Sequence, residues 1–374
     1  FIIYILTLLI KKKENFLFFS SGSTFSGNPK YLYLYLSNDL NLKCYWITSN
    51  REIISYLRSN NLKVAHRWSV KGIYLTIISK YFFLSSSINN ICEYYVSKKT
   101  KVINLWHGTP IKKIFNDEKK NDEKFVKNLN KFLEGFNYFN TGSKNLIKLF
   151  EKSLNRKDIK IYSLGMPSND ILYKSKKDIK FSEEISIKIK KQFSIPLNKK
   201  IILYCPTHRD NINDYNLNIL NKFLDKILLF AKKNGFVLIN KFHLLRPPKI
   251  NPRISNDKDF IDVTYYPDIQ EFLIASNLLI TDYSSVVFDF SILEKLYILF
   301  HYDIKKYSIR REFYYNWDMF PTKIAYEIDD LIKYLENKNF FDNEKNKSFL
   351  NYFNDKDLSC MRIYKEILLG KSID

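Results

Sequence analysis

The sequence predicts an α/β protein made of two doubly wound domains that face a cleft. Three observations predict it. Short apolar runs alternate with amphipathic stretches of helical length almost throughout, the pattern of βαβ units and parallel sheets. A charged helical stretch at 174–194 interrupts that alternation, which then starts again. Finally, 374 residues exceed one ordinary core, and 45% apolar with 16% aromatic residues excludes disorder.

The chain opens with FIIYILTLLIKKKENF, an apolar run closed by three lysines. It is shorter than the roughly 20 residues that span a bilayer. Three readings fit it: the remainder of a longer hydrophobic segment, a membrane-surface helix with its basic flank at the headgroups, or a buried helix. Residues 1–15 are therefore set apart. NFLFFSS, KCYWIT, KVAHRW, YFFLSSS, KVINLW, FNYFNTG and IKIYSLG are the strands expected of a first domain, 16–175. Helices such as NPKYLYLYLSND, with Pro29 in its first turn, connect them. KSKKDIKFSEEISIKIKKQF gives a linker helix, bounded at 176–198. KKIILYCP, GFVLINKF, DFIDVT, NLLITDYS and LYILFHYD are the strands of a second domain, 199–350. The polar stretch 335–356 reads as an excursion before a final helix near LSCMRIYKEILL. Residues 351–374 are expected to pack back on the first domain.

Sixty Lys+Arg against 39 Asp+Glu leaves a net charge of +21. That balance fits a polyanionic partner or, equally, a general lysine bias, because lysines are scattered through every segment. Arginine is a minority of the cations, which argues against a base-reading nucleic-acid protein. Cys44, Cys92, Cys205 and Cys360 are far apart, with no CxxC pair, as in a reducing compartment. GSTFSGNP has the glycine spacing of a phosphate loop, but Asn28 and Pro29 stand where lysine and a hydroxyl are required. No GxGxxG occurs, which excludes a dinucleotide fingerprint. Asp257–Asp259 and Asp355–Asp357 repeat a metal-site spacing within Asn/Lys-rich loops, where solvated charge is the better reading. No metal site is expected.

Ligands of open parallel sheets bind beyond the carboxyl ends of the strands. Four strand ends concentrate polar chemistry there. Trp106-His107-Gly108-Thr109-Pro110 follows KVINL; Gly108 permits a sharp turn and leaves His107 at its apex, as a base or as a packed imidazole. PTHRD places Thr207, His208 and Arg209 past the next domain's first strand, as a phosphate site or a surface pair with Asp210. Lys241 and His243 follow FVLIN. Thr281, Asp282, Tyr283, Ser284 and Ser285 lead into an apolar helix whose free N–H groups and hydroxyls make an anion site or a simple cap. Asp289, one turn beyond Ser285, would face a sugar hydroxyl. His66 and His301 have no comparable neighbours and read as structural or surface residues.

Together WHGTPIKKI, PTHRD, KFH, LLITDYSSVVFDF and FHYDIKKY resemble the CDP-glycerol glycerophosphotransferases, the teichoic acid primases and polymerases. FSGNPKYLYLYL, GMPSND and RIYKEIL extend the resemblance over most of the chain. It implies a GT-B-like architecture, with acceptor handling in the first domain and the CDP-alcohol in the second. It also implies attack by an acceptor hydroxyl on the β-phosphorus of CDP-glycerol, with CMP released. By motif, His107 matches the proposed general base, and His208, Arg209, His243, Thr281, Ser284 and Ser285 match the groups that hold the diphosphate. Lys241, Asp282 and Asp289 are added to that donor set. Trp106, Gly108, Thr109, Lys112, Asn169 and Asp170 are assigned to the acceptor side. Ser168 stands where the family usually has arginine, and KFHLLRPP lacks the proline expected after His243. The expected partners are a lipid-linked glycerol-phosphate or glycan acceptor and an anionic membrane surface, but no nucleic acid. No tightly bound cofactor is expected, CDP-glycerol or a similar CDP-polyol being the donor. The expected location is peripheral, on the cytoplasmic face of the cell membrane.

Overall fold

The computed structural model describes residues 7–19, 24–86, 96, 99–119, 123–133, 135–209, 215–243, 247–354 and 357–371. Cys92, Asp210, Asp355 and the Leu244–Arg246 part of KFHLLRPP lie outside the described residues. The chain divides into two compact units. Unit 1 is Phe1–Thr109, Ile114–Asp170 and Phe353–Asp374; unit 2 is Pro110–Lys113 and Ile171–Tyr352.

Unit 1 holds seven parallel strands: β1 (Lys13–Phe18), β2 (Cys44–Thr48), β3 (Val64–His66), β4 (Ser79–Leu84), β5 (Lys101–Asn104), β6 (Tyr138–Thr141) and β7 (Lys160–Ser163). Their order is β3-β2-β1-β4-β5-β6-β7. Unit 2 holds β8 (Lys200–Tyr204), β9 (Phe236–Asn240), β10 (Phe260–Asp262), β11 (Leu278–Thr281), β12 (Leu296–Phe300) and β13 (Ile324–Ala325), in the order β10-β9-β8-β11-β12-β13. Both orders reverse direction once, between β1 and β4 and between β8 and β11. A reversal of this kind opens a crevice at the carboxyl ends of the strands.

The central strands are buried on both faces, which is why they read as unbroken apolar runs. In β11 all four residues, LLIT, are buried. The core of unit 1 gathers Phe18, Phe25, Tyr33 and Trp46 at ring-centroid distances of 4.7–6.5 Å, with Cys44 and Cys360 as small apolar fillers. The core of unit 2 packs helix Leu217–Lys233 on its sheet through Phe223, Leu224, Ile227 and Leu228.

Three expectations are corrected. The linker is two helices, Asp170–Lys177 and Ile179–Gln192. Asp178 leaves the helical conformation between them and caps the second by accepting from the Phe181 amide. The polar 335–356 stretch is no loose excursion, since helix Asn343–Phe353 buries Phe349 and Phe353. Strand β13 was missed, because two residues are too few to carry a periodic signal.

Candidate active site

Unit 1 presents His107 at the carboxyl edge of its sheet. The Leu105 amide still pairs with Leu84 O, so β5 runs parallel to β4 up to the turn. Trp106 then takes a left-handed backbone, φ 56°, and Gly108 a φ of 148° that only glycine adopts readily. Side-chain amides hold the strained residue at both ends. Asn104 Oδ1 accepts from the Trp106 amide at 2.9 Å, and Asn28 Nδ2 donates to the Trp106 and Leu105 carbonyls at 2.9 and 3.0 Å. The Trp106 ring points inward against Phe115, Phe139 and Phe150, and is 5% exposed. It lies 4.1 Å from the imidazole of His107, forming the wall beneath it. His107 itself is exposed, and its Nδ1 lies 3.0 Å from the backbone carbonyl of Ser85. A carbonyl only accepts, so Nδ1 carries the proton and the Nε2 lone pair of the neutral ring is left for a substrate.

Other residues assigned to the acceptor side are used inside the protein. Thr109 and Asn169 are buried. Asp170 accepts from the amides of Ser359 and Cys360, which caps the C-terminal helix Ser359–Ile363. Lys112 is half-exposed and pairs antiparallel with Phe313 in unit 2. Asn28 had been dismissed with its phosphate-loop look-alike, yet it is the buried centre of this edge. Its Oδ1 accepts from the amide and hydroxyl of Ser168, so FSGNP, WHGTP and GMPSND form one construction. Ser168, where the family usually has arginine, is therefore part of the scaffold.

Unit 2 brings its candidates to the reversal between β8 and β11. His208 and His243, past the adjacent strands β8 and β9, lie with ring centroids 4.7 Å apart. Ser284 and Ser285 are half-buried at the start of helix Val286–Ile292, where Ser284 Oγ accepts from the Val286 amide at 3.4 Å. Asp289 is half-buried on that helix. Thr281 Oγ1 donates to Cys205 O at 2.7 Å, and Asp282 Oδ1 accepts from the Thr207 amide at 2.7 Å. These two bonds fasten the PTHR and TDYSS loops together.

The structure corrects four residues of the donor set. Arg209 is 2% exposed, and its guanidinium donates to Asp282 at 2.8 Å, to Asp303 at 3.0–3.2 Å and to Thr207 O at 3.0 Å. The guanidinium also lies 4.8 Å from the ring centroid of Tyr307. A group so enclosed holds the scaffold and leaves the diphosphate to others. Thr281 and Asp282, 0% and 1% exposed, are enclosed in the same way. Lys241 is largely buried and donates to the carbonyls of Val263 and Tyr266; burial lowers its pKa. Burial works against the ionised form of Asp282, but Arg209 and the Thr207 donor outweigh it and hold this carboxyl below its usual range. For Asp303 burial dominates and raises the pKa. Asp303 was missed although it stands just past β12, the next strand along the same edge. His301 is 1% exposed against Tyr283 and Trp317, and burial pushes it down to about 4. Among the described residues no three His, Cys, Asp or Glu side chains gather as metal ligands; Asp257 and Asp259 pair with Lys232 and Lys199.

The family model of CDP-glycerol:poly(glycerophosphate) glycerophosphotransferase matches residues 2–369. A teichoic acid glycerol-phosphate transferase of Staphylococcus aureus is 29% identical, over 81% of this chain and 78% of its own. A teichoic acid glycerol-phosphate primase of Bacillus subtilis is 31% identical, over 71% of this chain and 68% of its own. The wall teichoic acid polymerase TagF superposes with a TM-score of 0.78 and 25% identity, covering 96% of this chain and 89% of that one. The same polymerase has been solved as a histidine-to-asparagine variant soaked with CDPG. The α/β architecture is thus the GT-B-like one.

Three outcomes test this reading of the scaffold. Arg209→Met leaves Asp282 and Asp303 buried without their cation and lowers the unfolding free energy by about 3–5 kcal/mol in urea titration. Unchanged stability with a weaker donor KM would instead make Arg209 a phosphate ligand. Asn28→Ala strands the Leu105 and Trp106 carbonyls and the Ser168 donors, and costs about 2 kcal/mol or more in the same assay. The folded-state pKa of His301, about 4, lies below its ordinary 6.5, so its share of stability is present above pH 6.5 and is lost as pH falls toward 4. The loss approaches about 1.4 kcal/mol per pH unit, and a His301→Leu variant shows a correspondingly flatter profile in unfolding measured from pH 6.5 to 4.

Proposed function

The chain belongs to the CDP-glycerol:poly(glycerophosphate) glycerophosphotransferase family, and from that membership we propose that it moves glycerol phosphate, or a related polyol phosphate, from a CDP-alcohol to a hydroxyl of a membrane-linked envelope polymer. The observation that carries the reaction is His107, whose Nδ1 faces the Ser85 carbonyl at 3.0 Å. Neutral imidazole so oriented accepts the acceptor hydroxyl's proton at Nε2 as the oxygen attacks the β-phosphorus. The new O–P bond forms as the bond from phosphorus to the bridging oxygen breaks, and CMP leaves with the negative charge.

In this reading unit 2 holds the donor. His208, His243, Ser284, Ser285 and the free amides at the start of helix Val286–Ile292 supply hydrogen bonds to the diphosphate, where charge accumulates as CMP departs. Asp289 remains the candidate for an alcohol hydroxyl. The network around Arg209 keeps the loops bearing these donors in register. The acceptor is a lipid-linked glycerol phosphate or glycan, which places the enzyme peripherally at the cytoplasmic leaflet. No helix among the described residues is long and apolar enough to cross a membrane. The net charge of +21 suits an anionic surface, to which each nearby Lys or Arg contributes about 1 kcal/mol.

The test offers CDP-glycerol, CDP-ribitol, UDP-sugars and GDP-sugars together with a glycerol-phosphate-primed lipid, and follows the nucleotide released. CMP from a CDP-alcohol is expected, and His107→Gln lowers kcat by roughly a hundredfold or more while leaving the donor KM close to wild type. Release of UDP or GDP instead would make the protein a nucleotide-sugar transferase. No turnover of any donor would make it a non-catalytic binding protein.

A further inference from the structure

Helix Val70–Ile78 is apolar nearly all round, yet it lies at the surface of unit 1. Its inner side buries Gly72, Leu75, Thr76 and Ile78. Its outer side carries Val70, 88% exposed, and Tyr74, 51% exposed, with Ile73 and Ile77 half-buried beside them. The spacing i, i+3, i+4, i+7 makes these four one stripe. A helix of this composition is ordinarily buried in a protein core or against lipid.

The neighbouring segments extend the stripe. Gly72 lets the preceding turn lie directly on the helix, since a Cβ there would meet the His66 carbonyl at 2.1 Å. That turn presents Trp68, 53% exposed, beneath the Arg67 guanidinium at 4.8 Å. The end of the opening apolar-basic run passes along the other side. Lys12 Nζ donates to Ile77 O, Lys13 Nζ lies 3.3 Å from the Tyr74 hydroxyl, and Leu9 is 79% exposed. Lys11, Lys13 and Lys71 are exposed around the patch. Residues 7–13 and 66–80 contain no acidic residue, and Glu14 is engaged by Lys80. Burial and the nearby Lys99 lower the Lys12 pKa to about 8, as expected in a cationic field. The patch shares no residue with the candidate active site.

We propose that this face, Trp68, Val70, Tyr74 and Leu9 within a ring of Lys11, Lys13, Lys71 and Arg67, is the surface by which the protein docks on an anionic lipid bilayer. Tryptophan and tyrosine settle at the headgroup level with their polar atoms wet, while the aliphatic side chains reach the acyl boundary. The cations meet acidic headgroups. The proposal rests on the membrane part of the function proposed above, and commits it to one face of unit 1.

The full chain is sedimented with vesicles of phosphatidylcholine alone and with added phosphatidylglycerol, at low and high salt. Wild type is expected to bind the anionic vesicles at least about tenfold more tightly, and less tightly in high salt. Val70→Ser/Tyr74→Ser and Lys11→Glu/Lys13→Glu each weaken that binding by about tenfold, whereas Leu229→Ser, an exposed apolar side chain on unit 2, does not. CMP release with a water-soluble acceptor analogue stays at the wild-type rate, showing that the variants fold. Wild-type binding that the variants leave unchanged overturns the assignment of this face alone. Wild type that ignores anionic vesicles overturns the membrane reading as well. A wild-type dimer in ultracentrifugation that Val70→Ser/Tyr74→Ser converts to monomer, with vesicle binding unaltered, overturns the proposal in favour of a second copy of the chain.

Discussion

One buried guanidinium orders the carboxyl edge of unit 2. Arg209 follows β8, Asp282 follows β11 and Asp303 follows β12, and these three strands are neighbours in the sheet. Three loops that would otherwise move separately are joined through a single planar fork. Taking a guanidinium and two carboxylates out of water is costly, and such clusters rarely add net stability over apolar packing. What they supply is geometry: the fork accepts its carboxylates from few directions, and no apolar trio would fix three loop tips so narrowly. The phenol of Tyr283 adds a further donor to Asp303, so the second carboxylate is also closely held.

Unit 1 solves the same problem without charge. Asn28 joins the loop after β5 to the one after β7, and both ends of its amide are used. A neutral amide suffices because it must hold only a left-handed tryptophan and a serine, where main-chain donors and acceptors are enough. The result is an imidazole resting on a buried indole, with one nitrogen already committed to a carbonyl. Its orientation is set by the core, through Phe115, Phe139 and Phe150, more than by any residue near a substrate.

The strands were legible because a parallel strand buried on both faces leaves a continuous apolar run, and β8 and β11 can be read directly from IILY and LLIT. The histidines were legible because polar residues at strand tips are few. What could not be read was the direction each polar side chain takes. Arg209 beside His208 looks like an anion site, and only Asp303, 94 residues later, turns it inward. Thr281 and Asp282 look like helix-cap donors until the loop after β8 supplies their partners. Asn28 looked like a failed phosphate loop because its three partners lie 77 to 140 residues away. A motif specifies which residues meet; the fold decides which of them face water.

These inward turns change the electrostatic account of the donor site. Arg209 brings one positive charge and faces two carboxylates, so the buried network contributes no surplus cation to an approaching diphosphate. Burial raises the Asp303 pKa, which moves the network toward neutrality without making it positive. Lys241 is drawn to carbonyls at the edge of β9 and its charge is disfavoured by burial. Anion binding must then come from oriented hydrogen bonds: serine hydroxyls, free amides at a helix start and imidazole N–H groups. Donors of that kind are strongest where water is excluded, and they need no reorganisation as charge moves onto the departing phosphate. The scattered lysines act at longer range, drawing an anionic polymer and an anionic surface to the protein. Two tasks that the composition merges into one positive balance are thus divided, attraction by mobile surface cations and recognition by fixed neutral donors.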